Sequence, residues 1–369
     1  MTAQFRRALQ VPQGTEAFYL EEAYRHRRLA QTIERIFLRW GYLPVQTPSF
    51  DFYDVYTPLL RDEDAKRIYR LIDREGDLLM LRSDITLFLA KQMGLILRAE
   101  DLPTRVFYAD TILRHEDPED ISKNEFFQTG AELIGKPGTE ADAEVVLLLL
   151  EVLADIGITR YFLHLGCRSL LDASLPPASV AEGERREAAR AVRLREWHTL
   201  EDALGDAGRS SEEIRALSSL YRFIGTPKEL DALLESVAPH LNPGERSAIT
   251  EVRRLYDLLD ELDATSRLRL DFSEVGNQPY HTGVAFEVYL DGLDSAVAAG
   301  GRYDGLLSVF GLDAPSVGFS MMLRKIRDQL ELNSELSEPP QAEQAPGRSF
   351  TERVRSARTL RREGRTAIL

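Results

Sequence analysis

The chain has one cysteine, Cys167, in 369 residues, so no internal disulfide can form. That fits a reducing compartment, and the cytoplasm is the expected location. Long apolar runs are also lacking. The longest, VVLLLL at 145–150, stops at Glu151, far short of the ~20 residues a membrane span needs. The N-terminal MTAQFRRALQVPQG has basic residues but no apolar stretch behind them, so neither a signal peptide nor membrane attachment is expected. Histidine is scarce, with six residues scattered singly. His164 and Cys167 are neighbours, but no second pair accompanies them, so no metal site is expected. No GxxxxGK[ST] loop occurs, and the single Gly-Gly pair is not a dinucleotide fingerprint, so no cofactor is expected. Positive charge is short as well. A net charge of -14 excludes broad non-specific nucleic-acid binding, which needs a basic surface.

What is present is an ordinary globular composition, 43% hydrophobic, in a chain long enough for a large core with additions. Residues 20 to 40 read as a helix, with Leu29, Ile33, Ile36, Phe37 and Trp40 on one apolar stripe. YLPVQTPSF reads as a strand closed by Pro48, and residues 67 to 82 as a hairpin. RVFYADTILRHE and NEFFQTGAELIG read as two strands joined by the acidic loop DPEDISK. The segment 139–157 is a helix with Thr139 as a plausible N-cap. From 174 to 264 four amphipathic patterns indicate a helical insertion. Strands resume at RLRLDF and continue through GVAFEVYL and SAVAAGG. The expected class is α+β, mainly antiparallel strands with helices against them. The expected division is a core in two parts, 1–173 and 265–331, around the insertion 174–264. The stretch 332–369 is rich in Pro, Glu, Gln and Ser and then Arg, and is expected to be a disordered tail.

Three places combine polar groups with room for a ligand. In LRSDIT, Asp84 and Thr86 share one face of an extended segment, though Asp84 could equally cap a helix starting near Ile85. In EFFQTGAELIG, strand alternation puts Gln128, Gly130 and Glu132 on one face. A glycine between an amide and a carboxylate lets something approach the backbone. In the third, AVAAGG leaves space before Gly300 and Gly301, and Tyr280 and His281 supply an aromatic wall with hydrogen-bonding groups. Together these groups suit a polar amino acid or amine.

The same residues carry a resemblance. TILRHE followed by FFQTGAELIG resembles motif 2 of class II aminoacyl-tRNA synthetases, specifically histidine–tRNA ligase. LRSDIT is similar to that family's LRPEGT segment, and PYHTGVAFE with AAGGRYDGLL to its two histidine signatures. PSVGFSMML resembles the start of motif 3, and QTPSF the motif 1 strand. The resemblance covers residues 12 to 330. It implies a class II synthetase-like antiparallel sheet flanked by helices. It further implies that Asp84, Thr86 and Gln128 hold the α-ammonium of histidine and Arg114 its carboxylate. Glu132 and His281 would face the imidazole beside Tyr280. Arg302 would support the pocket wall that Gly130, Gly300 and Gly301 are read above as forming.

The departures point away from ligase chemistry. The ligase signature RG-D-YYTG stands here as VGNQPYHTG, with Gly276 at the arginine that stabilises charge on the reacting carboxylate and phosphate. The motif 2 loop would present Asp117, Glu119 and Asp120 to a triphosphate. Lys325 replaces the motif 3 arginine and lacks its planar fork. No anticodon-binding domain is expected, since residues 332–369 are too few and too polar to form one. These features resemble the regulatory subunits of ATP phosphoribosyltransferase, which implies a protein without catalysis of its own. Its expected partners are a short-form catalytic subunit of ATP phosphoribosyltransferase and L-histidine. A homodimeric core inside a hetero-oligomer, commonly a hetero-octamer, is implied, and no tRNA. An active histidine–tRNA ligase-like enzyme is the alternative.

Overall fold

The computed structural model describes residues 14–15, 17–115, 124–176, 180–293, 295–327, 329–330 and 339–369, without the side chains of Asp62 and Glu63. Its centre is a nine-stranded sheet in the order β1-β5-β6-β12-β11-β10-β7-β9-β8. The strands are β1 (Leu43–Pro44), β5 (Thr104–Leu113), β6 (Glu125–Ile134), β7 (Tyr161–Cys167) and β8 (Ile224–Gly225). The remainder are β9 (Leu268–Asp271), β10 (Val284–Leu290), β11 (Ala298–Arg302) and β12 (Ser316–Met322). From β5 through β7 every pairing is antiparallel. The parallel pairs β1–β5 and β7–β9 lie toward the edges, which makes the sheet mixed. A separate small sheet pairs β2 (Phe50–Phe52), β3 (Arg70–Ile72) and β4 (Leu78–Leu81) in the order β2-β4-β3. The α+β expectation holds.

The helix Leu20–Arg39 buries Leu29, Ile33, Ile36 and Phe37, the stripe its spacing predicts, while Trp40 packs at its edge. Together with the helix Thr139–Asp155 it covers one face of the sheet, and β6 is buried on both faces in its second half. The helix Ile85–Ile96 belongs to a second apolar cluster with Tyr108, Tyr303 and Leu307. The site lies between these two cores.

Several local readings are corrected. The strand expected through YLPVQTPSF splits into β1 and β2, because Pro44 and Pro48 cannot donate to a ladder. Thr139 is the first helical residue, and Gly138 takes the cap position without a side-chain bond. Within 174–264 the described residues form five α-helices, since Arg195 at φ 58° breaks the first amphipathic pattern into Glu182–Arg193 and Trp197–Asp206. This region also adds β8 to the sheet edge and shares its apolar core with the sheet.

The tail expected to be disordered is ordered from residue 339 onward; residues 332–338 lie outside the described residues. The helix Phe350–Arg362 starts with a capping box. Ser349 Oγ accepts from Glu352 N at 3.2 Å, and the Glu352 carboxylate accepts from Ser349 N at 3.3 Å. β13 (Glu343–Gln344) and β14 (Ala367–Ile368) pair in parallel, Arg365 bridges to Glu343, and Ala345, Ala357 and Ala367 pack beneath. Small apolar residues and one strong cap are enough to order a segment whose composition reads as solvated.

Candidate functional site

A cavity of about 210 Å³ opens between the sheet and the helix Ile85–Ile96. Asp84, Thr86, Arg114, Gln128, Glu132, Tyr280, His281 and Gly300 all line it. The chain thus brings together groups separated by more than two hundred positions in sequence.

Strand alternation supplies the floor. On β6, Gln128 and Glu132 both face the cavity, while Gly130 between them does not line it. Gly130 pairs with Tyr108 on β5 and Ser320 on β12. A Cβ there would fall 2.3 Å from the Phe319 carbonyl and 2.5 Å from the Tyr108 hydroxyl. The glycine therefore makes room for the Tyr108 ring, not for a ligand.

Asp84 has both of the roles its sequence allows. It caps the Ile85 helix, accepting from Leu87 N at 3.1 Å, and it lines the cavity. Burial pushes its carboxyl up, opposed by the Leu87 N–H and by Arg114. Thr86 donates to Glu132 Oε1 at 2.8 Å and lies 3.2 Å from the Tyr108 hydroxyl. Gln128 Oε1 lies 3.4 Å from Ile85 N.

Glu132 is the centre of the site and is almost fully buried. Tyr303 donates to its Oε2 at 2.5 Å, opposite the Thr86 bond. Burial nevertheless pushes its carboxyl up to about 8, against these hydroxyl bonds. The carboxyl is therefore mostly neutral at pH 7, and it becomes anionic when a donor compensates the charge. Gly318, the β12 partner of Glu132, makes the geometry possible, because a Cβ there would lie 1.5 Å from Oε2.

His281 is buried, and its Nδ1 has no hydrogen-bond partner among the described residues. Burial, and then the charges of Arg168, Arg193 and Arg61, hold the imidazole down to about 3, so it stays neutral. Nδ1 lies against Gly276. That residue has φ 80°, and a Cβ on it would come within 2.3 Å of Nδ1 and 2.9 Å of His281 Cβ and Cγ. At Gly276, the position the motif resemblance sets against the ligase arginine, a side chain has no room unless His281 moves.

Lys325 lines the cavity and donates to Ser295 Oγ at 2.8 Å and the Ala296 carbonyl at 3.1 Å. Arg302 and Gly301 do not line it. Arg302 turns instead to the start of the Thr139 helix, 2.6 Å from Asp142, 3.0 Å from Asp304 and 3.1 Å from the Gly138 carbonyl. Gly301 gives its space to the Val284 carbonyl, 2.7 Å from where a Cβ would sit. The acidic motif 2 positions Asp117, Glu119 and Asp120 lie outside the described residues.

Tyr108, Tyr303 and Gly318 were not legible as site residues. The pairing of Tyr108 with Gly130 across β5 and β6 is the signal that points to the first.

Away from this cavity, the ligand atoms of His164, Asp271 and Glu274 lie within 4.8 Å of one another. His164 Nδ1 is 2.9 Å from Asp271 Oδ2, and Arg195 approaches the same oxygen at 3.3 Å. That guanidinium opposes a cation. Cys167, three residues along β7 and so on the other face, turns to the Ala248 carbonyl.

The chain matches the family model described as Histidyl-tRNA synthetase over residues 14–326. The ATP phosphoribosyltransferase regulatory subunit of Moorella thermoacetica is 31% identical, over 98% of this chain and 92% of the relative. That of Geobacter sulfurreducens is 30% identical, over 96% and 82%. A solved ATP phosphoribosyltransferase regulatory subunit/histidyl-tRNA synthetase from Bacillus halodurans superposes with a TM-score of 0.82 at 23% identity, covering 98% of this chain and 92% of that one. Histidyl-tRNA synthetase from Nostoc superposes with a TM-score of 0.76 at 19% identity, over 97% and 85%. These two likenesses bear on the fold, and the sequence relatives bear on the family: the chain belongs to the ATP phosphoribosyltransferase regulatory subunits, built on the histidyl-tRNA synthetase fold.

Proposed function

We propose that this chain activates a short-form catalytic subunit of ATP phosphoribosyltransferase in the first step of histidine biosynthesis, and that L-histidine bound in the cavity supplies feedback. The observation that carries the reading is the convergence of Asp84, Thr86, Arg114, Gln128, Glu132, Tyr280 and His281 on one cavity, beside a Gly276 with no room for the ligase arginine. Asp84 and Gln128 hold the ammonium, Arg114 the carboxylate, and Glu132 with His281 the imidazole. Thr86 acts through Glu132, since its hydroxyl is already directed there. A ligand N–H on Glu132 favours its ionised form, a charge-assisted bond.

The chain has no catalysis of its own in this reading and works in the cytoplasm without tRNA. No helix among the described residues is long and apolar enough to cross a membrane. Exposed Phe50, Phe52 and Ile72 lie on the small sheet and exposed Leu43 on the edge strand β1 of the large one, which supports a homodimeric core. That core assembles with the catalytic subunit as a hetero-octamer. Histidine exerts feedback only by binding one quaternary state better than another.

The test mixes this chain with a short-form catalytic subunit and measures phosphoribosyl-ATP formation with and without histidine. Co-elution, activation and inhibition by histidine are expected. Histidine should also raise the melting temperature of the isolated chain, and ATP should add nothing. Absence of co-elution and activation overturns the partner. A thermal shift with ATP but not with histidine overturns the ligand and favours the ligase-like alternative.

A further inference from the structure

A second cavity, about 200 Å³, lies across the turn at Pro279 and Tyr280 from the first, and Tyr280 lines both. Its charged wall gathers distant parts of the chain. Arg61 comes from the stretch before β3, Arg168 from the start of the helix Arg168–Ser174, and Arg186 and Arg193 from the helix Glu182–Arg193. Among the described residues, Glu182 is the one carboxylate that faces these four arginines in the lining. The chain as a whole carries a net charge of -14, so this concentration of positive charge runs against its composition.

At Arg168 and Arg186 the bonds to neighbouring carboxylates engage Nε. Arg168 is buried and donates from Nε to Asp172 at 3.0 Å, one turn along its helix. Arg186 donates from Nε to Glu182 at 3.1 Å. Arg61 pairs with Asp64 through Nε and Nη2. A guanidinium has five N–H donors in a planar fork, so an Nε bond leaves the Nη face for a second acceptor. The positive field is felt at a distance: Arg168, Arg193 and Arg61 all act on His281. The opposite wall is apolar, formed by Pro58, Leu59, Leu60, Pro279 and Tyr280.

We propose that this second cavity is a binding site for a small phosphate-bearing molecule, held by Arg168, Arg186 and Arg193, with its organic body against Pro279 and Tyr280. A tetrahedral phosphate offers several oxygens to forks arriving from different directions, whereas a lone carboxylate offers two. The apolar wall suits an ester better than the bare ion. Because Tyr280 is shared, occupancy here and occupancy of the first cavity are linked, and any linkage is reciprocal. The proposal does not rest on histidine being the ligand of the first cavity, so either can fail alone.

The experiment is calorimetric titration of the full chain with inorganic phosphate, pyrophosphate, ribose 5-phosphate and adenosine monophosphate. Saturable binding is expected. Arg186→Gln with Arg193→Gln should weaken it about 100-fold, roughly tenfold for each charge-assisted bond removed. An Arg215→Gln/Arg358→Gln pair makes the same change in net charge on exposed helix positions elsewhere and should leave affinity within about twofold. Arg168→Lys keeps the charge without the fork and gives a second reading if the double variant unfolds. An ester that binds tenfold better than inorganic phosphate identifies the ester as the ligand; equal affinity identifies the free anion. No saturable binding at millimolar concentration overturns the proposal. So does an equal loss in the control pair. Weakened association with the catalytic subunit, without phosphate binding, also overturns it, in favour of an acidic loop of the partner.

Discussion

Gly276→Ala isolates the feature that separates this pocket from a ligase's. The substitution adds one methyl group at φ 80°. Left-handed backbone costs a residue with a Cβ about 1–2 kcal/mol. The new Cβ also lands 2.3 Å from His281 Nδ1 and 2.9 Å from its Cβ and Cγ. His281 is buried and cannot simply swing aside, so an overpacking cost of about 1–3 kcal/mol is added. The sum is about 2–5 kcal/mol. At about 2.1 cal/mol/K per residue, unfolding of a chain this long shifts by roughly 3–6 °C for that loss. Gly292→Ala is the control. Gly292 has φ 82° and nothing within 4 Å of a Cβ, so only the backbone cost applies, about 1–3 °C. Differential scanning calorimetry of both variants measures the two shifts, and a histidine titration follows displacement of His281. Equal shifts would mean that His281 does not occupy the space in question. Gly276→Arg provides the functional arm. If that variant gains histidine-dependent exchange of pyrophosphate into ATP, the pocket has room for the ligase arginine and the reasoning fails.

Gly318→Ala puts a Cβ 1.5 Å from Glu132 Oε2, so Glu132 must leave its bonds to Thr86 and Tyr303; histidine affinity, measured calorimetrically, should fall at least about 100-fold. For Glu132 itself the folded value of about 8 lies above the ordinary 4.5, so the folded state binds the extra proton. Its contribution to stability is therefore present below about pH 4.5 and is lost as pH rises toward 8. Glu132→Gln removes that dependence. Relative to wild type, the stability of Glu132→Gln should improve by about 1.4 kcal/mol per pH unit across the window in urea denaturation; parallel curves would count against the buried carboxyl. Arg302→Gln breaks an almost fully buried ion pair and leaves Asp142, pushed up to about 6 by burial even with its partner, uncompensated. Removing one partner of such a pair costs about 3–5 kcal/mol. It should lower stability while leaving histidine affinity nearly unchanged, because Arg302 does not line the cavity.

The local chemistry of this chain is largely legible in its sequence. Periodicity finds the helix Leu20–Arg39 and the antiparallel strands, because burial of one face imposes a repeat that needs no knowledge of the partner. The motif resemblance finds the seven polar groups of the cavity. Strand alternation sets Gly130 at the pocket and the resemblance sets Arg302 behind its wall, yet neither lines the cavity, for different reasons. A glycine in a strand signals a close approach but not by what, and here the answer is the Tyr108 ring. A long cation next to pocket residues can turn either way, and Arg302 turns to Asp142, 160 positions earlier. The C-terminal segment is misread because composition measures average solvation, whereas Ser349, Glu352 and three alanines act through their positions.

By itself, the sequence determined the α+β class, the family and the residue types that can hold a polar amino acid, since these follow from short-range pattern and motif. Only the tertiary structure decided how those groups are used. Contacts between elements set the neutral state of Glu132, the need for Gly318 beneath it, and the tight fit of His281 against Gly276. Desolvation and steric exclusion depend on what surrounds a residue in space, and that surrounding comes from strands far apart in the chain.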